Sequence, residues 1–242
     1  MKIIFGQPWG GLGDNLQFTT LPKLFSERGY EFYVSKHNAY RNSEIYKFCW
    51  ENNPYVKGIV DDAPNIGACA PDIARGISDN VVSAAEIRHG FSGKGRYPEI
   101  YYSPTFLEEF KDKVIVDLSA HTLLYKGINE IYNGESLLNK IKENVPDDAL
   151  CVTFSNLDTL SIYEEFPFKD NRLVVQNIFQ YADIIHSVRK YFCLYSGGNS
   201  MSSGIKYKFN SNVDLQCFLP GTVQEHKDKA FFVFDNVHYI ES

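Results

Sequence analysis

The residues best equipped for chemistry lie in two glycine-rich turns, Gly10–Asn15 (GGLGDN) and Ser196–Ser200 (SGGNS). In the first, Gly10, Gly11 and Gly13 let the backbone come close to a bound group, and Asp14 and Asn15 sit where a helix would start. Free N–H groups of such a first turn favour anions. Asp14 has two readings, and both stay open. One is an N-cap, whose loss costs about 1 kcal/mol. The other is a carboxylate at the lip of a cleft, able to take a proton from a hydroxyl. The polar residues that follow, Asn15, Gln17, Thr19 and Thr20, exceed what a cap requires and argue for a site.

The second turn repeats this logic. Gly197 and Gly198 allow close approach, while Ser196, Asn199 and Ser200 offer cap-type side chains beside free N–H groups. A diphosphate is the natural guest for such a junction at the carboxyl end of a parallel sheet. A glycine turn with a serine cap and no ligand is the alternative.

Both turns need a strand before them and a helix after them, and the pattern supplies both. Lys2–Phe5 reads as a strand, and a helix runs from the first turn to about Glu27 along Leu16, Leu21, Leu24 and Phe25. Pro22 lies inside it, which predicts a kink or an early stop. Glu31–Ser35 is a second strand, Ser43–Trp50 a helix and Gly58–Val60 a third strand, a β-α-β-α-β succession. From Asp61 to Tyr102 periodicity fades and loops are expected. There Gly93-Lys94-Gly95-Arg96 lacks GxxxxGK(S/T) and reads as a mobile basic loop.

A second block starts near Lys113. Val114–Leu118, Leu150–Phe154, Arg172–Val175 and Tyr191–Tyr195 read as strands, Glu135–Asn144 and Ile178–Lys190 as helices. Asp117, closing the first of these strands, reads as a turn cap rather than an acid. His121 follows that strand in a polar turn; its ring suits proton transfer, but a lone His is more often a surface or supporting residue. Ala230–Phe234 and Val237–Ile240 read as terminal strands.

Composition narrows the function classes. The 242 residues are 44% hydrophobic and 22% charged, as in ordinary globular proteins, with net charge −6 and no basic block, so a nucleic-acid surface is not expected. Cys49, Cys69, Cys151, Cys193 and Cys217 form no CxxC pair; Cys151 and Cys193 read as core residues. No stretch approaches a membrane span and no signal-peptide pattern opens the chain, so a reduced cytoplasmic protein is expected. Aromatic content is high at 15%, from 16 Tyr and 18 Phe, a bias that suits cores and sugar-facing pockets alike. Neither an Asp-x-Asp nor a spaced His pair for a metal is present, nor the glycine motifs of serine hydrolases or dinucleotide oxidoreductases.

Gly10–Pro22 (GGLGDNLQFTTLP) resembles the N-terminal signature of bacterial heptosyltransferase-like glycosyltransferases of the GT-B fold. Asn53-Pro54-Tyr55-Val56 resembles their asparagine-proline segment, and Tyr195–Met201 (YSGGNSM) stands where they place a diphosphate-binding turn. Tyr195 and Ser200 replace that family's usual acid and histidine, and its donor-binding lysine-tryptophan-proline segment is missing, with Lys126 only a weak substitute. The resemblance implies an α/β chain of two Rossmann-like lobes facing a cleft, residues 1–110 on the acceptor side and 111–242 on the donor side. It implies an inverting, metal-independent transfer from a nucleotide-sugar donor to a saccharide or lipid-linked saccharide acceptor, in surface-polysaccharide or lipopolysaccharide synthesis peripheral to the inner membrane. No cofactor and no metal are implied. Asp14 would be the base, with Gly11, Gly13 and Asn15 beside it on the acceptor side. Ser196, Gly197, Gly198, Asn199 and Ser200 would hold the donor diphosphate, and His121 and Lys126 would support the site from behind. A nucleotide-sugar epimerase or hydrolase, or a non-catalytic nucleotide- or sugar-binding module, remains open on the same scaffold.

Overall fold

A computed structural model of the chain describes residues 1–7, 9–37, 43–67, 77–120, 127–155 and 165–242. They form two compact units, residues 1–103 with 226–234, and residues 104–225 with 235–242.

The first unit is built on a parallel sheet of β1 (Lys2–Gly6), β2 (Glu31–Ser35), β3 (Val56–Val60) and β4 (Ile66–Gly67), in the order β3-β2-β1-β4. Its core is aromatic: the Phe5 ring lies 5.1 Å from Phe18, 5.7 Å from Trp50 and 5.9 Å from Phe32. The expected single helix after the first turn is two helices, Leu12–Leu16 and Leu21–Glu27. Pro22 does not break a helix. It sits in the first turn of the second one, where a missing N–H leaves no bond unmade. The helix from Ser43 passes at Lys47–Glu51 into a π-turn that carries Phe48, Cys49 and Trp50 into the core.

Between Asp61 and Tyr102 the structure holds more than loops. Val81–Arg88 is a helix, capped by Asn80, whose carboxamide oxygen accepts the N–H groups of Val82 and Ser83. The basic loop is pinned rather than mobile. Gly93 O accepts the Ser83 hydroxyl at 2.6 Å, Gly95 N–H donates to Glu86 at 2.8 Å, and Arg96 pairs with Asp79 at 2.6 Å. With that N–H bound to a carboxylate, the segment is no phosphate loop.

The second unit carries an all-parallel sheet of β5 (Val114–Asp117), β6 (Leu150–Phe154), β7 (Arg172–Val175), β8 (Lys190–Leu194), β9 (Asp214–Leu219) and β10 (His238–Glu241). Read from β7 the order is β7-β6-β5-β8-β9-β10, the doubly wound order 3-2-1-4-5-6. Helices Gly134–Asn144, Ile178–Ser187 and Gly197–Phe209 belong to this unit. Val116, Leu118, Leu137, Ile141, Cys151, Phe192, Leu194 and Phe218 share its core. The run Ala230–Phe234 is not a strand: Ala230 takes a left-handed φ of 51°, and Phe234 stacks beside Tyr97 in the first unit.

His186, near the end of helix Ile178–Ser187, is flanked edge-on by Phe106 and Phe209, and its Nδ1 is buried without a hydrogen-bond partner. Burial lowers its pKa from 6.5, against a smaller upward pull from Asp183. Just below that value the unfolded chain binds more protons than the native one, so acid destabilises the fold. Stability should therefore fall from about pH 7 to about pH 5 more steeply in the wild type than in His186→Gln, as read by denaturant unfolding. Equal slopes would show that His186 carries no such linkage.

Candidate active site

In an open parallel sheet, ligands bind beyond the carboxyl ends of the strands, at the point where the strand order reverses. The reversal in the first unit falls between β1 and β4, and β1 runs straight into the Gly10–Asn15 turn. In the second unit it falls between β5 and β8, and β8 runs into Ser196–Ser200. Each glycine turn thus sits at the reversal of its own sheet.

The first turn is held by amides. Gly11, in extended conformation, is the N-cap, and Asp14 is the third helical residue rather than the cap. Its carboxylate reaches back to accept the Gly11 N–H at 3.2 Å, half of a capping box. A Cβ on Gly11 would lie 2.7 Å from that same carboxylate oxygen, so the residue must be small for the contact to form. The bond occupies the Gly11 N–H with the chain's own acid rather than an outside anion. The Asp14 carbonyl accepts two side-chain amides, from Gln7 at 2.6 Å and Gln17 at 3.0 Å. Asp14 and its neighbours Gly11 and Gly13 are partly exposed.

Asn15 is wholly buried. It donates to Gly11 O at 2.9 Å and accepts the Trp50 indole N–H at 2.9 Å, so its side chain ties the turn to the core. Asn53 does the same for the next turn, donating to Thr19 O at 3.3 Å and accepting the Tyr55 N–H at 3.0 Å. Thr19 donates to Leu16 O and accepts the Glu99 N–H. The polar cluster after Asp14 is therefore mostly structural. Thr20, whose hydroxyl is buried without a partner, is the exception.

In the second turn Ser196 caps helix Gly197–Phe209, its hydroxyl accepting the Gly198 N–H at 3.3 Å. Tyr195, Ser196 and Gly197 are partly exposed, whereas Gly198, Asn199 and Ser200 are buried. Asn199 accepts the Tyr239 hydroxyl at 3.3 Å, and the Ser200 hydroxyl has no partner. Anything reaching this turn meets Ser196 and Gly197 first. From one side Tyr132 fixes the turn, accepting the Tyr195 N–H and donating to Phe218 O, both at 3.0 Å.

Beneath Gly198 lies a buried polar chain that sequence reading did not find. Asp117 accepts the N–H of Ser119 at 2.8 Å, the hydroxyl of Ser119 and the hydroxyl of Tyr181, and Tyr181 in turn bonds Tyr191. Burial pushes the Asp117 carboxyl up from its ordinary value, against the pull of these donors. The turn-cap reading of Asp117 holds for the Ser119 N–H, and the two phenols are what it omitted. No periodicity marks them, because they come together from a strand and a helix through tertiary packing alone.

His121 and Lys126 lie outside the described residues, as does Cys69. Among the described residues no group of three His, Cys, Asp or Glu side chains could hold a metal ion, and no helix is long and apolar enough to cross a membrane. A groove of about 500 Å³ along edge strand β3, lined by Lys36, Glu51, Val56, Lys57, Gly58 and Ile59, contains no residue of either turn.

No protein-family model and no curated protein sequence matches the chain. Solved structures do match in fold. The iron-containing dodecameric glycosyltransferase TibC of enterotoxigenic E. coli superimposes with a TM-score of 0.60 at 10% identity, over 98% of this chain and 63% of TibC. Heptosyltransferase II of E. coli, an ADP-heptose lipopolysaccharide enzyme, gives 0.55 at 11%, over 99% of this chain and 90% of that one. A family 9 glycosyl transferase of Veillonella parvula gives 0.54 at 10%, over 100% and 85%. The chain spans a little under two thirds of the length of TibC. Its fold is the GT-B type α/β fold of these structures.

Two substitutions test how the first turn is held. Trp50→Phe leaves the buried Asn15 oxygen without its donor and should destabilise the chain by about 1–3 kcal/mol in denaturant unfolding, beyond any packing loss. Gly11→Ala should cost about 1 kcal/mol or less, because the group it displaces is the flexible end of Asp14. A larger loss for Gly11→Ala than for Trp50→Phe would contradict this assignment of roles.

Proposed function

We propose that the chain is a glycosyltransferase of the heptosyltransferase type, using a nucleotide-sugar donor and a saccharide or lipid-linked saccharide acceptor. One observation carries the reading: a GT-B fold with a glycine turn at the sheet reversal of each unit, the first bearing Asp14 and the second a capped helix N-terminus. The likeness in fold to TibC supports the donor class, since that protein is also solved in complex with ADP-D-β-D-heptose.

In this reading residues 1–110 serve the acceptor and 111–242 the donor. Asp14 accepts the proton of the acceptor hydroxyl. The oxygen so activated bonds to the anomeric carbon from the face opposite the leaving group. The bond from that carbon to the diphosphate oxygen breaks, and the diphosphate departs with the electron pair. The configuration inverts. The N-terminus of helix Gly197–Phe209, reached at Ser196 and Gly197, stabilises the leaving charge through its dipole and the Gly197 N–H, so no bound metal is part of this reading. Ser196 and Gly197 are the accessible part of that turn, and Asn199 and Ser200 lie behind it. The work belongs to surface-polysaccharide synthesis, in the cytoplasm at the inner membrane.

Asp14→Asn tests the assignment. Sugar transfer to lipopolysaccharide-core or oligosaccharide acceptors should fall by at least about 10²-fold, while calorimetric affinity for the donor stays unchanged. Transfer at the wild-type rate would remove Asp14 from the mechanism. Turnover of a nucleotide sugar with no acceptor present would identify an epimerase or hydrolase instead, and binding without turnover a non-catalytic module.

A further inference from the structure

Gly198 stands on a floor of hydroxyl groups. A Cβ added there would collide with the Tyr191 hydroxyl, lie 3.0 Å from the Tyr181 hydroxyl and 3.4 Å from an Asp117 carboxylate oxygen. These side chains are 0–3% exposed. They are linked in series, Tyr191 to Tyr181 to Asp117 to Ser119. The chain joins the two strands that flank the sheet reversal, β5 and β8, to helix Ile178–Ser187. Phenylalanine at both positions would fill almost the same space without the need to satisfy buried oxygens, which cost free energy unless bonded. What the hydroxyls add is direction: the hydrogen bonds that join them to one another and to Asp117 fix where each ring sits, and so the surface on which Gly198 packs.

We propose that Tyr181 and Tyr191 are positioning residues for the diphosphate of the donor, fixing the height of the Gly197–Gly198 backbone from beneath. The proposal rests on the reading of Ser196–Ser200 as the donor turn. Neither tyrosine touches the ligand; each acts through the glycine backbone above it. A turn held at one height keeps the Gly197 N–H and the helix N-terminus already aimed, and the ligand spends less free energy ordering them.

The test is calorimetric titration with ADP, UDP, GDP and inorganic diphosphate, with melting temperatures measured in parallel, on wild type, Tyr191→Phe, Gly198→Ala, the double variant and Gly198→Trp. Tyr191→Phe should weaken diphosphate binding by about 3- to 10-fold, the scale of one net hydrogen bond. Gly198→Ala should weaken it by at least about tenfold through the collision with the Tyr191 hydroxyl. Because Tyr191→Phe removes the group the new Cβ meets, the double variant should bind better than Gly198→Ala alone, a coupling that a general loss of stability would not produce. Melting temperatures that fall while affinity holds would overturn the proposal, as would losses that simply add. Should Gly198→Ala not fold, the affinity of Tyr191→Phe decides by itself. A wild type that binds, and loses binding in Gly198→Trp but not in Tyr191→Phe, overturns the positioning role alone. A wild type that binds none of the four probes overturns the donor-turn reading together with it.

Discussion

A doubly wound parallel sheet has one place where it cannot close over itself. At the reversal of strand order the following helices leave on opposite faces, and a crevice opens beyond the two central strands. In the second unit that constraint sorts the polar from the apolar. The core cluster around Val116, Leu137 and Phe218 is mostly Leu, Ile, Val and Phe. At the reversal, between β5 and β8, come Asp117, Ser119, Tyr181 and Tyr191, each satisfied by the next. The first unit follows the same rule with a different chemistry, amides in place of phenols. There Gln7, Gln17 and Asn15 converge on the backbone of one turn.

The high tyrosine content acquires a meaning it lacked as a count. Tyr132, Tyr181, Tyr191 and Tyr239 each place a hydroxyl on or under the Tyr195–Asn199 segment or its supports. None of the four is fully exposed, and for the first three burial holds the phenol well above its ordinary pKa. Such groups stay neutral at any physiological pH and keep their O–H to donate. A large apolar body with one reliable donor at its tip suits the floor of a site, where volume must be filled and a backbone must also be held.

Where local pattern decided the structure, the sequence was readable. Strands β1, β2, β5, β6, β7 and β8 are short apolar runs between turn residues, and each lies within about a residue of its expected place. Helix Val81–Arg88 escaped because six of its residues from Val81 to Glu86 are buried; a helix with no wet face shows no stripe. Ala230–Phe234 misled for the opposite reason, since a run apolar enough for a strand is buried as coil. At the site, the turn residues themselves could be found from glycine spacing. Their partners Trp50, Glu99, Tyr181 and Tyr191 could not, being 10 to 80 residues distant from what they hold or bond. Asn53 was visible only through its asparagine-proline context.

Asp14 is not the N-cap but the third helical residue, and the capping-box bond it makes from there is compatible with its proposed role as base. A residue that takes a proton in a transition state must be held within a fraction of an ångström, since misplacement is costly and ordering a loose side chain adds to the barrier. The bond from Gly11 N–H fixes the carboxylate, and the bonds from Gln7 and Gln17 fix the carbonyl of the same residue. Both ends of Asp14 are thereby set by contacts that also terminate the helix. The capping-box bond gives the carboxylate a preferred position, as the proposed base would need, and the absence of a side chain at Gly11 leaves room for the carboxylate to fold back into it.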